Sequence, residues 1–224
     1  MKYEAFQSIY DRATQRHGGT QAVEQTLNRP FSAEALKQIT DDRWLAAFSQ
    51  KIFQSAINWQ VVRNKWDGFE DVFFGFDIEK MLLIHDEMWE EKAKDTRIIR
   101  NLGKVMTIRE NALMIRECQT KQGTFATFIA SWPTENIVGL WTYLKQHGKR
   151  LGGNTGPYTL RTMGKDTFLL TKDVEGYLRQ HKIITTGRNT QSALLAAQTA
   201  FNHWHNESGR SLSEISQCIA MGVN

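Results

Sequence analysis

The sequence contains little cysteine and proline and no long apolar run. Two of its 224 residues are cysteines and three are prolines. Cys118 and Cys218 both lie in apolar, helix-like segments, which predicts buried free thiols in a reducing compartment rather than a disulfide framework. No apolar run approaches the roughly 20 residues of a membrane-spanning helix, and the start, MKYEAFQSIYDRATQR, lacks the apolar core of a secretory signal. We therefore expect a cytoplasmic protein without a membrane segment.

Clustered metal ligands are also scarce. A closed zinc site needs four Cys or His ligands, usually in close pairs. The only close pair is His203 and His205, and two residues with this spacing on a helix point about 200° apart. The sequence therefore predicts no structural zinc.

The charge is mildly basic. Lysine and arginine total 28 against 24 acidic residues, giving a net charge of +4 and a pI near 9.1. This balance permits an anionic partner such as nucleic acid but does not require one.

Apolar residues recur at intervals of three and four, which is the period of an α-helix. The clearest stripes are Leu45, Phe48, Ile52, Ala56 and Trp59, then Leu194, Ala197, Phe201 and Trp204, then Leu212, Ile215 and Ile219. Strand-like runs are confined to residues 72–76 and 167–171, and both are short. The pattern predicts an all-α protein with about ten helices.

Short polar residues mark several helix starts. Candidate caps are Ser32, Asp41 or Asp42, Asp77, Thr134 and Ser211. The helix that opens at Asp41 or Asp42 is predicted to run through Trp59. Ser211 and Glu214 have the spacing of a capping box.

One segment is rich in glycine and lies between two predicted helices. The stretch LGGNTG, residues 151–156, follows a helix that ends near Gly148. Glycine leaves backbone amides unobstructed, and the next helix start adds free N–H groups and the positive end of its dipole. With Lys149, Arg150 and Arg161 nearby, the segment predicts an anion-binding turn. Tight packing between the two helices is the alternative role for these glycines.

This segment and the residues after it carry a resemblance. LGGNTGPYTL followed by DTFLLTKDV resembles the helix-hairpin-helix and Gly/Pro-Asp signature of the base-excision DNA glycosylases. The resemblance implies their all-α fold, in which two helical lobes flank a cleft. It also implies that the hairpin amides of Gly152, Gly153 and Gly156 grip a DNA phosphate, often beside bound K⁺ or Na⁺. Asp173 would point into the base pocket.

Two further segments narrow the resemblance. Residues 52–77 and 97–112 resemble the 3-methyladenine DNA glycosylase I family, and the similarity extends over residues 43–178. The zinc-binding Cys and His residues of that family have no counterparts, so neither zinc nor any other required cofactor is expected. The family's pocket glutamate falls at Lys51, whereas its tryptophan is retained as Trp59.

The resemblance implies that a damaged base is flipped out of the duplex and held by aromatic rings. Trp59 is the first candidate for stacking, and Trp44, Tyr158 and Lys51 are further base-pocket candidates. Core packing is the alternative for either tryptophan. Ile57 is expected to fill the gap that the flipped base leaves, because apolar side chains commonly wedge into such kinks.

Asp173 is the candidate catalyst. Breaking an N-glycosidic bond builds positive charge on the deoxyribose, and a nearby carboxylate stabilises that charge and orients water. The alternative role of Asp173 is a helix N-cap. Bifunctional relatives use a lysine at the position of Tyr158. Lys172 or Lys51 could supply an amine, but surface or phosphate-binding charges are the simpler roles, so monofunctional hydrolysis is predicted.

The DNA contacts are expected to come from the hairpin amides with Lys149, Arg150, Arg161 and also Lys165. Such contacts position the duplex without reading its sequence, so binding should be salt-dependent and sequence-tolerant.

The sequence therefore predicts a monomeric glycosylase that removes an alkylated, 3-methyladenine-like purine from double-stranded DNA in the bacterial cytoplasm, associated with the nucleoid. Residues 1–224 would form one glycosylase unit. Its core would span residues 43–178 with the hairpin at 137–165, and residues 1–42 and 179–224 would form the second lobe. The alternatives are a DNA-binding protein that has lost catalysis and a helical protein-interaction module.

Overall fold

The computed structural model describes residues 3–223, and these form fifteen α-helices, two 3-10 turns and no strand. The all-α prediction is confirmed, but the predicted number of helices was too low because several are only one or two turns long. The helices are α1 (Phe6–Arg16), α2 (Thr20–Thr26), α3 (Ala33–Lys37), α4 (Asp41–Gln54), α5 (Trp59–Asn64), α6 (Trp66–Val72), α7 (Ile78–Leu83), α8 (Asp86–Lys94), α9 (Leu102–Gln122), α10 (Phe125–Ser131), α11 (Ile137–His147), α12 (Thr155–Thr162), α13 (Lys172–Gln180), α14 (Gln191–Ser208) and α15 (Leu212–Val223). The 3-10 turns are Phe74–Phe76 and Thr134–Asn136.

The chain divides into two compact units. Unit 1 contains Met1–Phe31, Trp132–Leu140 and Leu160–Asn224, and unit 2 contains Ser32–Ser131 and Trp141–Thr159. The sequence placed the lobe boundaries near residues 43 and 178. The observed division instead passes within helices α11 and α12, because the end of one helix and the start of the next belong to unit 2 together with the turn that joins them.

Unit 1 is built around α15, which packs against α1, α13 and α14. The apolar stripe of α15, Leu212, Ile215 and Ile219, is buried as its helical spacing predicts. Before α13 the chain has no regular secondary structure, and there Phe168 stacks on Phe201 of α14 with ring centroids 4.2 Å apart. This segment leads into the first turn of α13, which carries Asp173.

Unit 2 is organised by α9, a helix of 21 residues that packs against α4, α7, α8 and α10. The side chains of Val105, Ile108, Ala112 and Ile115 are buried along it. Because α9 touches so many elements, polar side chains on its buried face can fix the ends of other helices.

Three of the predicted caps are confirmed. The side chains of Ser32 and Asp77 accept backbone amides at the starts of α3 and α7. Ser211 and Glu214 form the reciprocal capping box at α15: the Glu214 amide donates to Ser211 Oγ at 3.2 Å, and the Ser211 amide donates to Glu214 Oε2 at 3.0 Å.

The predicted cap at Thr134 was wrong, because Thr134 opens a 3-10 turn and α11 begins only at Ile137. The predicted cap at Asp41 or Asp42 was also wrong, because Thr40 is the N-cap residue and Asp41 is already the first residue of α4. Helix α4 ends at Gln54 instead of reaching Trp59. Trp59 therefore starts a separate helix, α5, after a loop of residues 55–58.

Both cysteines are free and buried, as predicted. Burial raises the pKa of the Cys118 thiol to about 11 and that of Cys218 to about 12, because desolvation penalises the thiolate. Within residues 3–223, none of the helices combines the length and apolarity that a membrane crossing requires.

Candidate functional site

The glycine-rich segment forms a tight turn between α11 and α12. Helix α11 ends at His147, and α12 begins at Thr155. The Gly156 amide donates back to the Leu151 carbonyl at 3.1 Å, and the Thr155 amide donates to the Gly152 carbonyl at 3.3 Å. These two bonds close the turn immediately before the helix, so the predicted hairpin is present.

Two glycines of the turn are required for different reasons. Gly153 has a φ of +61°, a left-handed conformation that glycine adopts without steric cost. At Gly156 a Cβ atom would lie 2.6 Å from the Leu151 carbonyl oxygen and 3.3 Å from Leu144 Cδ1. Tight packing therefore explains Gly156, whereas conformation explains Gly153.

The hairpin amides divide into engaged and available groups. The amide of Gly156 is used in closing the turn, which corrects its predicted role as a phosphate donor. The amides of Gly152 and Gly153 donate to no residue in the described range 3–223. These two N–H groups lie just before α12, where the helix dipole favours an anion.

The predicted basic residues differ in availability. Lys149 and Arg150 are exposed beside the turn, and among residues 3–223 the one ion pair of the Lys149 side chain is an exposed pair with Glu110, Nζ to Oε2 3.4 Å. Arg150 holds a left-handed backbone conformation with φ +59°. Both side chains can reach an anion at the turn without breaking a buried contact.

Arg161 and Lys165 are directed into unit 1 instead. The Arg161 guanidinium donates to the Thr167 carbonyl at 2.9 Å and to the Ser216 hydroxyl. Lys165 is buried, and its Nζ donates to the Trp132 carbonyl at 2.6 Å. Both side chains were predicted to contact phosphate, but they form internal hydrogen bonds instead. The local sequence does not show whether a basic side chain points into the protein or toward solvent.

A residue that sequence reasoning missed, Asn111, holds the hairpin in place. Its side chain is fully buried on α9. Asn111 Oδ1 accepts the Lys149 amide at 2.8 Å, and Nδ2 donates to the Lys149 carbonyl at 3.2 Å. An asparagine among the buried apolar positions of a long helix was the signal, since buried amides are usually retained for a specific hydrogen-bond partner.

Lys104 is a second missed residue on α9. It is buried, and its Nζ donates to the carbonyls of Ile52 and Phe53 at 2.8 and 2.9 Å. These carbonyls belong to the last turn of α4, where a cation also complements the helix dipole. Burial is the main cause that lowers the pKa of Lys104, and the charge of Arg150 adds to it. Lys104 thereby fixes the end of α4, from which the loop carrying Ile57 departs.

The base-pocket candidates of unit 2 fall into two groups. Trp59 and Tyr158 expose 57% and 37% of their surfaces, and Ile57 is half-buried in the loop between α4 and α5. Lys51, in the last turn of α4, lies with its Nζ 5.8 Å from the centre of the Tyr158 ring. Exposed rings of this kind can stack on a base.

Trp44 belongs to the core. Its ring is fully buried and meets Phe125 edge to face, with centroids 5.8 Å apart. It offers no surface to a base in this structure, which agrees with core packing, the alternative role considered for it. Trp44 is buried together with Leu45 and Phe48 on the same helix.

Asp173 lies in the first turn of α13 in unit 1. Thr171 is the N-cap of that helix, its side chain accepting the Val174 amide at 3.2 Å. The alternative role of Asp173 as the cap was therefore wrong. Its carboxylate is half-buried and accepts no hydrogen bond or ion pair from residues 3–223. Such a carboxylate is available to a substrate.

No arrangement of three or more His, Cys, Asp or Glu residues within 3–223 is suited to hold a metal ion. His205 Nδ1 is 2.6 Å from the Arg210 carbonyl, whereas His203 lies 3.7 Å from Glu207, so the two histidines have separate partners.

Comparison with known proteins agrees with this geometry. The family model described as methyladenine glycosylase matches residues 35–150, just over half of the chain. A search of curated protein sequences finds no significant match. Two solved structures share the fold. One is a tyrosine-to-phenylalanine variant of 3-methyladenine DNA glycosylase I in complex with 3-methyladenine, with 16% identity, a TM-score of 0.52 and coverage of 66% of this chain and 87% of that chain. The other is the Staphylococcus aureus 3-methyladenine DNA glycosylase I, with 18% identity, a TM-score of 0.51 and coverage of 70% of this chain and 95% of that chain.

Proposed function

Because the chain belongs to the methyladenine glycosylase family and is a DNA glycosylase for alkylated bases, we propose that it removes an alkylated purine from double-stranded DNA by monofunctional hydrolysis. The observation that carries the proposal is the family match, which covers the hairpin up to Arg150. The product would be an abasic site in otherwise intact DNA. We expect the protein to act as a monomer in the bacterial cytoplasm, near the nucleoid.

The hairpin would grip one DNA phosphate. The unengaged amides of Gly152 and Gly153 supply two donors, and α12 supplies the positive end of its dipole. Exposed Lys149 and Arg150 add positive charge beside them. These contacts would position the duplex irrespective of its sequence.

No cofactor is required by this proposal, although K⁺ or Na⁺ would fit at the hairpin. The carbonyls of Gly148 and Gly153 accept no hydrogen bond from residues 3–223. Oxygen ligands of this kind suit a hard cation. An ion held there would add positive charge next to the phosphate.

The flipped base would meet the exposed aromatic rings of unit 2. Trp59 would stack on it, at about 1–3 kcal/mol per stacked base, and Tyr158 would line the same pocket. Ile57 would enter the duplex where the base leaves, because an apolar wedge compensates part of the lost stacking.

Asp173 would perform the chemistry. As the N-glycosidic bond lengthens, positive charge grows on the deoxyribose, and an adjacent carboxylate stabilises it. The same carboxylate can orient the water that attacks the sugar. A purine alkylated on a ring nitrogen leaves readily because it departs as a neutral base, so modest catalysis suffices.

The proposal is tested by incubating the protein with heavily methylated duplex DNA and identifying released bases by chromatography. We expect release of 3-methyladenine or 7-methylguanine, and a fall of at least about a hundredfold in Asp173→Asn, the range typical of a lost acid–base group. Glu175→Gln is the matched control, since Glu175 lies in the same helical turn but pairs with Arg179 and Arg188.

Each other outcome has a definite meaning. Release that survives Asp173→Asn would retain the enzyme and remove Asp173 as its catalyst. Tight DNA binding without release of any base would favour a DNA-binding protein without catalysis. Absence of salt-dependent DNA binding would contradict the hairpin's proposed role altogether.

A further inference from the structure

Lys51 carries a charge that pairs with no acidic residue in the described range 3–223. It lies half-buried in the last turn of α4. Among residues 3–223, its Nζ forms one hydrogen bond, to Gln54 Oε1 at 3.2 Å, and pairs with no carboxylate. A half-buried ammonium without a carboxylate loses hydration without a compensating charge, which makes it a candidate for a functional role.

The titration of Lys51 agrees with this geometry. Burial lowers the pKa of the Lys51 ammonium, and no other group contributes to that shift. A carboxylate close to Lys51 would raise its pKa, but no such contribution is present. Any charged group that enters beside Lys51 therefore meets an unshielded positive charge.

The surroundings of Lys51 place that charge where a base would lie under the proposed function. Its Nζ faces the ring of Tyr158 at 5.8 Å, and Tyr158 lies in the first turn of α12, directly after the glycine-rich turn. Trp59 begins α5, and only the loop 55–58 separates it from the end of α4. Lys51 thus faces a ring in the helix that follows the glycine-rich turn, and its own helix contacts α5, which begins with the exposed Trp59.

We propose that Lys51 makes the site discriminate among alkylated purines by charge, an inference that rests on the proposed function. A purine methylated at N3 or N7 carries a formal positive charge while it is still attached to deoxyribose. Lys51 repels that charge, so these bases are excised at a reduced rate. A neutral alkylated purine avoids the repulsion, and its ring nitrogen or oxygen can accept a hydrogen bond from the ammonium.

The test compares kcat/KM on two duplexes of one sequence, one with a single 7-methylguanine and the other with a single ethenoadenine, which is a neutral alkylated purine. Lys51→Gln and Lys51→Met remove the charge, and Lys51→Arg is the control that keeps it. We expect the ratio of neutral to cationic excision to fall about tenfold in both uncharged variants and to stay near the wild-type value in Lys51→Arg. Two uncharged variants are used so that the comparison still holds if one of them folds poorly.

A ratio that changes less than threefold in the uncharged variants would overturn the inference and leave the proposed function intact. A ratio that falls equally in Lys51→Arg would also overturn it, because shape rather than charge would then be responsible. Release of neither base by the wild type would overturn the proposed function and this inference with it.

Discussion

Two basic side chains near the hairpin differ in the partners that they contact. The Lys149 side chain is exposed, and within residues 3–223 its one ion pair is with Glu110. The Arg161 guanidinium donates hydrogen bonds to Thr167 and Ser216 inside unit 1. Lys149 can therefore exchange its carboxylate partner for a phosphate at little cost in free energy. Arg161 could bind a phosphate only by breaking its internal hydrogen bonds.

This difference predicts opposite effects of two substitutions. Lys149→Ala should reduce the slope of log affinity against log salt by about 1, because one phosphate contact and its counterion release are lost. Arg161→Met should leave that slope unchanged and lower the free energy of unfolding by about 1–3 kcal/mol through its unsatisfied partners. Fluorescence anisotropy with duplex DNA at several salt concentrations, together with urea unfolding, measures both quantities. A reduced salt slope in Arg161→Met would show that its side chain reaches DNA after all.

At this scale the sequence predicts residue types better than side-chain directions. The sequence singled out the glycines, Lys149 and Trp59 because their signals are local: turn conformation, charge beside the turn and an aromatic at a family position. Arg161 and Trp44 are likewise a basic residue and a tryptophan near the predicted site. Both side chains point inward, however, because they contact residues distant in sequence, Ser216 and Phe125. Asn111 and Lys104 were missed for the same reason, because their partners lie about 40 and 50 residues away.

At the scale of helices, ends are fixed from a distance as well as locally. Asp41 starts α4, but its carboxylate also accepts the backbone amides of Phe125 and Ala126 at 3.0 and 3.2 Å and the Gln119 side chain at 2.9 Å. These amides are the otherwise unsatisfied donors at the start of α10. One buried carboxylate in the first turn of α4 therefore stabilises the beginning of α10 and ties α4 to both α9 and α10.

Removing this carboxylate should be costly. Asp41→Ala is expected to lower the free energy of unfolding by about 2–3 kcal/mol, because buried amides lose a charged acceptor. Asp42→Ala is the matched control: Asp42 is the next residue in the same first turn, and its surface ion pair with Arg43 is worth under about 1 kcal/mol. Urea unfolding followed by circular dichroism compares the two. Equal losses would mean that charge near the α4 dipole, and not the bonds to α10, supplies the stability.

The predicted helix ends follow the same division. Ser32, Asp77 and the Ser211–Glu214 box cap their own helices, so three-residue patterns were sufficient to find them. The end of α4 was predicted at Trp59, because the apolar spacing continues that far. The helix stops at Gln54, and the Lys104 ammonium from α9 donates hydrogen bonds to the carbonyls of Ile52 and Phe53 in its last turn. That contact is tertiary and has no local sequence signal.

At the scale of the whole molecule, the all-α class followed from periodicity, and both terminal segments do share one unit as predicted, but the exact unit boundaries did not follow from the sequence. Each unit collects segments from distant parts of the chain, and the division passes within α11 and α12. Helical spacing reports which face of a helix is buried and not which neighbour covers it. The family resemblance supplied the hairpin and Asp173, whereas the charge of Lys51 became informative only once its surroundings were known.

The two buried thiols report on the integrity of the whole molecule. Cys118 lies on α9 of unit 2 and Cys218 on α15 of unit 1, each almost fully buried. Near neutral pH, a thiol reagent should modify neither in the folded protein and both in denaturant, since reaction requires opening of the surrounding core. Gln122→Cys, exposed at the end of α9, is the control and should react at least about a hundredfold faster than the native thiols. Rapid labelling of one native thiol alone would show that its unit opens independently.

The same thiols predict how stability depends on alkaline pH. Folding raises their pKa values from the ordinary 9.0 to about 11 and about 12, so the folded state favours the protonated thiols. Their contribution to stability is therefore complete below pH 9 and is lost as the pH rises toward 11 to 12. Cys218→Ala should flatten the fall in the urea midpoint between pH 9 and 11 relative to the wild type. An unchanged fall in that variant would assign the alkaline loss to other groups.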